Sequence, residues 1–205
     1  MKNSRKTLLK RTGDAAKPNK QPALAERPGA WHLARTETEQ RLSDFEFRLE
    51  RLAQAYYRWK AACLAAVCDV PLTGDDVAVL NVVRMGDEPK RLSEVGQLLN
   101  RVDVPNLQYA ARKLVRAGLI ETEGGSSRKE TRYRATATGH SVTEAYAALR
   151  AATLPPLLEA VDGWAAKSET ASLHLDLISS LYAQAAQVAI TRRHQPEGVS
   201  AGRGR

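Results

Sequence analysis

The sequence predicts a mainly α-helical protein with one small β-hairpin and a long helix at either end of its folded part. Three observations carry this. A seven-residue apolar repeat runs from Leu42 to Cys63, and capped short helices follow it. Two stretches of strict alternation, 120–123 and 132–135, then flank a Gly124-Gly125-Ser126-Ser127 turn.

Taken in order, the first helix starts near Thr38. Leu42, Phe45, Leu49, Leu52, Tyr56, Trp59 and Cys63 are spaced alternately three and four apart, a narrow seam that faces another helix. That helix belongs either to the same chain or to another subunit. Thr73-Gly74-Asp75-Asp76 has the form of a capping box, and Val77, Leu80 and Val83 make one apolar face of a helix ending by Gly86. Ser93 is the expected cap of a helix over 94–100. The turn Arg101-Val102-Asp103 leads to a helix over 104–117, with Asp103 as cap, Pro105 in its first turn and Gly118 as its stop. Leu107, Ala111, Leu114 and Val115 form its expected buried stripe. In the hairpin, Glu121 and Glu123 are expected to pair with Arg132 and Arg134 across the strands. A helix begins between Thr136 and Ser141, where Ser141 and Glu144 offer a second box, and Pro155-Pro156 is expected to kink or break it. The final helix is placed at 168–192, with Leu173, Leu177, Leu181 and Val188 on one side.

Charge is uneven. The chain carries a formal net +8, of which residues 1–30 hold a large share together with Pro18, Pro22 and Pro28. Residues 1–35 are therefore expected to be a disordered basic arm and 193–205 a disordered basic tail, with one compact domain over 36–192 between them. No apolar run exceeds the eight residues Ala61–Cys68, far short of the ~20 of a membrane span. The basic N-terminus leads into no apolar stretch, so neither secretion nor a membrane is expected, and a reducing cytoplasm is. Cys63 and Cys68, five residues apart on a helix, face ~140° away from each other and cannot bridge within one chain. A buried Cys63 would act as a small hydrophobe. His32, His140, His174 and His194 lack ligand spacing, and no nucleophile–base pair or phosphate loop occurs. Neither metal, cofactor nor enzyme activity is expected.

Helix, short turn, helix and glycine-rich basic hairpin, in this order, make a winged helix-turn-helix over 73–137. The second helix exposes Asn106, Gln108, Tyr109, Arg112, Lys113 and Arg116. Amides and a phenol suit base edges, so Asn106, Gln108 and Tyr109 are the candidate readers of double-stranded DNA. Arg112 and Lys113 are the candidate phosphate contacts, and Arg128 and Lys129 at the hairpin tip would reach a minor groove or the backbone.

Leu92-Ser93-Glu94-Val95-Gly96-Gln97-Leu98-Leu99, Leu114-Val115-Arg116-Ala117-Gly118-Leu119-Ile120 and Ala135-Thr136-Ala137-Thr138-Gly139 stand in register. Together they resemble the MarR family of bacterial transcription regulators. Ser127 stands where that family commonly has Asp before its wing-tip cations. The resemblance implies a homodimer on a pseudo-palindromic operator, held by helices within 36–70 and 140–192. Leu42, Phe45, Leu49, Leu52, Leu177 and Leu181 are the residues it implies for the dimer. It further implies small, often aromatic, effectors bound between the dimer helices and the winged domain, with Tyr56 and Trp59 as candidate lining. Two other functions stay open: a non-specific, architectural DNA binder working through its basic arm, and a winged domain that binds another protein.

Overall fold

A computed structural model describes residues 31–124 and 130–193. The element order is α1 (Glu37–Ala65), α2 (Gly74–Arg84), β1 (Lys90–Arg91), α3 (Leu92–Leu98), α4 (Val104–Arg116), β2 (Ile120–Glu123), β3 (Arg132–Ala135), α5 (Ala137–Glu159) and α6 (Trp164–Arg193). The chain divides between Arg58 and Trp59 into two compact units.

In the first unit, α1 begins with a capping box that the sequence reading missed. The Glu39 carboxylate accepts the Arg35 and Thr36 amides at 2.5 and 3.0 Å, and the Thr36 hydroxyl accepts the Glu39 amide at 3.2 Å. The Arg35 amide, followed by that of Thr36, pulls the Glu39 carboxyl below its ordinary pKa. Residues ahead of the helix fold back on it: the Trp31 indole donates to Asp44 at 2.9 Å and its ring packs on Phe47. Trp31 and Arg35 thus contact the helix from ahead of residue 36. Leu42 and Leu52 are half-exposed, whereas Phe45 and Leu49 are half-buried.

The second unit has one core. Leu64, Val77, Leu80, Val83, Val95, Leu107, Ala111, Leu114, Leu119 and Ile120 are almost fully buried, joining the end of α1 to α2, α3, α4 and β2. The Thr73 capping box is present as expected: Asp76 accepts the Thr73 amide at 2.8 Å and donates its own amide to the Thr73 hydroxyl at 3.3 Å. The sheet is three-stranded and antiparallel, in the order β1-β3-β2. The expected hairpin has Ile120 opposite Ala135 and Thr122 opposite Tyr133. Strand β1, only two residues long and with no alternation to betray it, pairs Lys90 with Tyr133.

That strand moves a helix cap. Arg91 is extended because it pairs in the sheet, and its amide is taken by the Glu94 carboxylate at 2.8 Å, so α3 starts at Leu92 and Ser93 is not its cap. Thr136, not Ser141, caps α5, accepting the Gly139 amide at 3.0 Å. Pro155-Pro156 does not break α5, which continues to Glu159. The carbonyls deprived of an amide partner belong to Ala151 and Ala152, both exposed, so water can hydrate them. In α4 the buried stripe is Leu107, Ala110, Ala111 and Leu114, where Val115 was expected in place of Ala110; Val115 is 37% exposed. Helix α6 starts at Trp164, and none of residues 164–192 is buried.

Candidate nucleic-acid interface

Helix α4 is held by its turn and by its inner face. Asn100 turns the chain with φ +52°, and the Arg101 amide donates to the Gly96 carbonyl at 2.7 Å. Asp103 occupies the cap position of α4, but its side chain makes no capping bond. It instead accepts two hydrogen bonds from the Arg101 guanidinium, at 2.8 Å from Nε and 2.6 Å from Nη2, and Arg101 lies 3.6 Å from Asp75. Arg101 first, and the Asn106 side chain second, hold the Asp103 carboxyl far below the usual carboxylate range. The helix ends where Gly118 adopts φ +68°, and the chain enters β2.

This framework separates the predicted site residues. Asn106, Tyr109 (58% exposed) and Arg112 lie on the outer face of α4, and Gln108 is half-buried beside them. Arg116, one turn beyond Arg112, is exposed as well. Lys113 turns inward instead. Its ammonium lies 2.7 Å from a carboxylate oxygen of Asp76, whose side chain is 5% exposed, so it braces α4 against the capped start of α2. It is withdrawn from the outer face because a buried carboxylate claims it. Arg128 and Lys129 lie outside the described residues.

In the sheet, Arg134 lies 3.4 Å from Glu121 and 3.6 Å from Glu123. Arg132 does not join this cluster as expected; it donates to the Pro89 carbonyl at 3.1 Å, tying the ribbon to the segment before β1. On the opposite side, Thr122 and Tyr133 face α4. With Tyr109, Arg112, Val115 and Arg116 they line a cleft of about 460 Å³. Thr122, Tyr133 and Arg116 were not singled out as site residues in the sequence. The signal available was the alternation that puts Thr122 and Tyr133 on one face, opposite the acids.

A second, almost wholly apolar cleft of about 360 Å³ is lined by Trp59, Ala62, Cys63, Leu149, Thr153, Leu154 and Leu157. Trp59 also meets Tyr146 at a ring distance of 6.5 Å. Tyr56, in the first unit, is half-exposed and packs edge-on against Tyr57. Cys63 is buried, and burial raises its thiol pKa. Among the described residues no group of three or more potential metal ligands converges, and no helix is long and apolar enough to cross a membrane.

Residues 72–139 match a family model described as a winged helix DNA-binding domain. No curated protein sequence matches the chain. Among solved structures, a MarR family transcriptional regulator from Streptomyces coelicolor superposes with a TM-score of 0.53, at 19% identity over 67% of this chain and 94% of that one. The fold is that of MarR-type regulators. Reduced AbfR bound to DNA superposes with a TM-score of 0.57, at 18% identity over 72% of this chain and 97% of that chain. The M. tuberculosis transcriptional regulator MosR, in complex with DNA, gives 0.52 and 17% identity, covering 70% and 96%. The MarR-like plan accounts for the mainly helical architecture with its small antiparallel sheet, and for the order of helices, turn and ribbon within 72–139.

Proposed function

We propose that this chain is a sequence-specific DNA-binding transcription regulator that acts as a homodimer on a pseudo-palindromic site in the cytoplasm. The observation that carries the reading is the outer face of α4: Asn106, Tyr109, Arg112 and Arg116 are exposed while the inner stripe is buried. An amide with one acceptor and spare donors matches an adenine edge, and a guanidinium matches guanine or phosphate. Two structures of similar fold were solved with DNA bound, which supports the same partner here.

The dimer rests on α6. Leu173, Leu177, Leu181, Val188 and Ile190 are each more than half exposed in the single chain. A long helix in which none of residues 164–192 is buried gains little from its own chain, and exposed apolar side chains in such number mark an interface. Leu177 and Leu181, with Leu42, Phe45, Leu49 and Leu52 of α1, are the contacts we assign to it. Two-fold pairing would place two α4 helices on successive turns of the duplex. The apolar cleft beside Trp59 would take a small apolar or aromatic effector; for the ligand to release DNA it must favour one spacing of the two α4 helices.

Selection from random duplexes with the purified protein tests this reading. An inverted repeat is expected. Duplexes recovered without a common motif would assign the chain to architectural binding, and no recovery at low salt would assign it to binding another protein.

A further inference from the structure

Asp103 stands at the cap of α4, yet its carboxylate makes no capping bond. Arg101 holds it instead with two hydrogen bonds, at 2.8 and 2.6 Å. Arg101 is itself fixed: its amide donates to the Gly96 carbonyl, and its guanidinium lies 3.6 Å from Asp75 of α2. The same carboxylate accepts a further hydrogen bond from the side chain of Asn106, three residues on. These donors keep it ionised, and an ionised carboxylate only accepts. The NH2 end of the Asn106 amide therefore faces Asp103, and its carbonyl oxygen faces away. The start of α4 has no open amide for a phosphate. The Val104 amide donates to the Val102 carbonyl, Pro105 has no amide hydrogen, and the Asn106 and Leu107 amides donate to the Asp103 carbonyl. A carboxylate there also repels a phosphate, so the exposed Asn106 amide beside it suits an uncharged base edge.

We propose that Asp103, pinned by Arg101, is a positioning residue that sets the Asn106 amide to read adenine and to reject guanine. The inference rests on the reading of α4 as the helix that faces base edges. With one amide hydrogen held by Asp103, the outward edge of Asn106 carries one acceptor and one donor. Adenine presents the complement, its N6 donor beside the N7 acceptor. Guanine presents two acceptors, O6 and N7, one of which would meet the Asn106 oxygen. A free amide could turn over and offer guanine its NH2 group. Asp103 opposes the turn, which would cost the carboxylate a hydrogen bond and set two oxygens face to face.

The test uses the full chain and the site recovered from random duplexes, each pair of one half-site being exchanged in turn between A·T and G·C. Fluorescence anisotropy gives the Kd of each duplex. The pair read by Asn106 is the one whose exchange ceases to matter in Asn106→Ala, and there the wild type should prefer adenine about tenfold or more. In Asp103→Ala that preference should fall to about threefold or less, while the ratios at the other pairs hold. Asp103→Ser keeps a residue suited to the cap but carries no carboxylate, so it should behave alike. It stands in for the alanine variant if a melting curve shows that one unfolded. The wild-type preference at that pair in both variants would overturn the positioning role alone. An equal fall at every pair would also overturn it, by making Asp103 a purely structural residue. A preference for guanine at the pair that depends on Asn106, or no such pair, would overturn the direction assigned to the amide. Random duplexes that yield no common site would overturn the functional reading, and this inference with it.

Discussion

Replacing Lys113 by Met separates a structural cation from one proposed to face DNA on the same helix. The Lys113 ammonium lies 2.7 Å from Asp76, a carboxylate 5% exposed that also accepts the amide and the hydroxyl of Thr73, at 2.8 and 3.0 Å. Removing the ammonium leaves that charge with two donors and no counter-ion. Breaking a fully buried ion pair costs about 3–5 kcal/mol. The Lys113 side chain is 24% exposed, so water can reach the vacated position, and Met preserves the packing of the stem. The expected cost is therefore about 2–3 kcal/mol. For a chain of this size it corresponds to a fall in Tm of about 5–10 °C. The assay is thermal unfolding by circular dichroism at one fixed protein concentration, because the proposed dimer would make Tm concentration-dependent. Salt-dependent DNA binding is measured on the same samples below the transition. Arg112→Ala should do the reverse, with Tm nearly unchanged and a shallower salt slope. A Lys113→Met protein as stable as the wild type, with its slope reduced by about one, would refute the assignment of Lys113 to the interior.

Four further outcomes are expected. Gly139→Ala should destabilise by about 2–4 kcal/mol in urea unfolding, since a Cβ there would stand 2.0 Å from the Leu119 carbonyl oxygen, although the same change in a helix is ordinarily favourable. Asp103→Asn should lower stability at pH 6–7: a carboxyl with a depressed folded-state pKa contributes fully above its unfolded value of about 3.9 and loses that contribution only as pH falls from there through its far lower folded value, so urea midpoints should show a deficit that is constant down to about pH 5 and still largely present near pH 3. Leu181→Asp should leave the helix content intact and yield a monomer in analytical ultracentrifugation, because this side chain is 53% exposed in the single chain. Asn106→Ala should erode the preference for the selected site over random DNA by about 1–3 kcal/mol, measured as a ratio of Kd values, with affinity for random DNA unchanged.

What could be read from the sequence followed the range over which each signal acts. The Thr73 cap, the stop at Gly118 and the register of β2 with β3 are set by neighbours within a few residues, and each stands as expected. The errors lie where a distant segment intervened. Strand β1 exists because β3 offers it an edge, and it moved the start of α3 from Ser93 to Leu92. Lys113 looked like any exposed cation of α4 until Asp76, 37 residues earlier, took it. Gly139 shows the opposite case: it was noted only as part of a motif resemblance. The structure supplies its reason in the backbone of Leu119, which approaches α5 so closely that no side chain fits.

The same distinction bears on how the basic character of this chain should be understood. Between residues 81 and 135 basic side chains outnumber acidic ones, and counted as charge this stretch looks like a uniform nucleic-acid patch. Counted by partner it does not. Arg84 is tied to Asp87 and Glu144, Lys90 to the carbonyls of Val83, Met85 and Glu88, Arg101 to Asp103, and Arg134 to two glutamates. A cation already bonded to a carboxylate must break that bond before a phosphate gains from it, so its net contribution to binding is small. Arg112 and Arg116 need break none. Among the described residues of this stretch, affinity for a polyanion should therefore follow these two residues and not the total. Neutralising Arg84 or Arg134 would lower the formal charge equally and change binding far less.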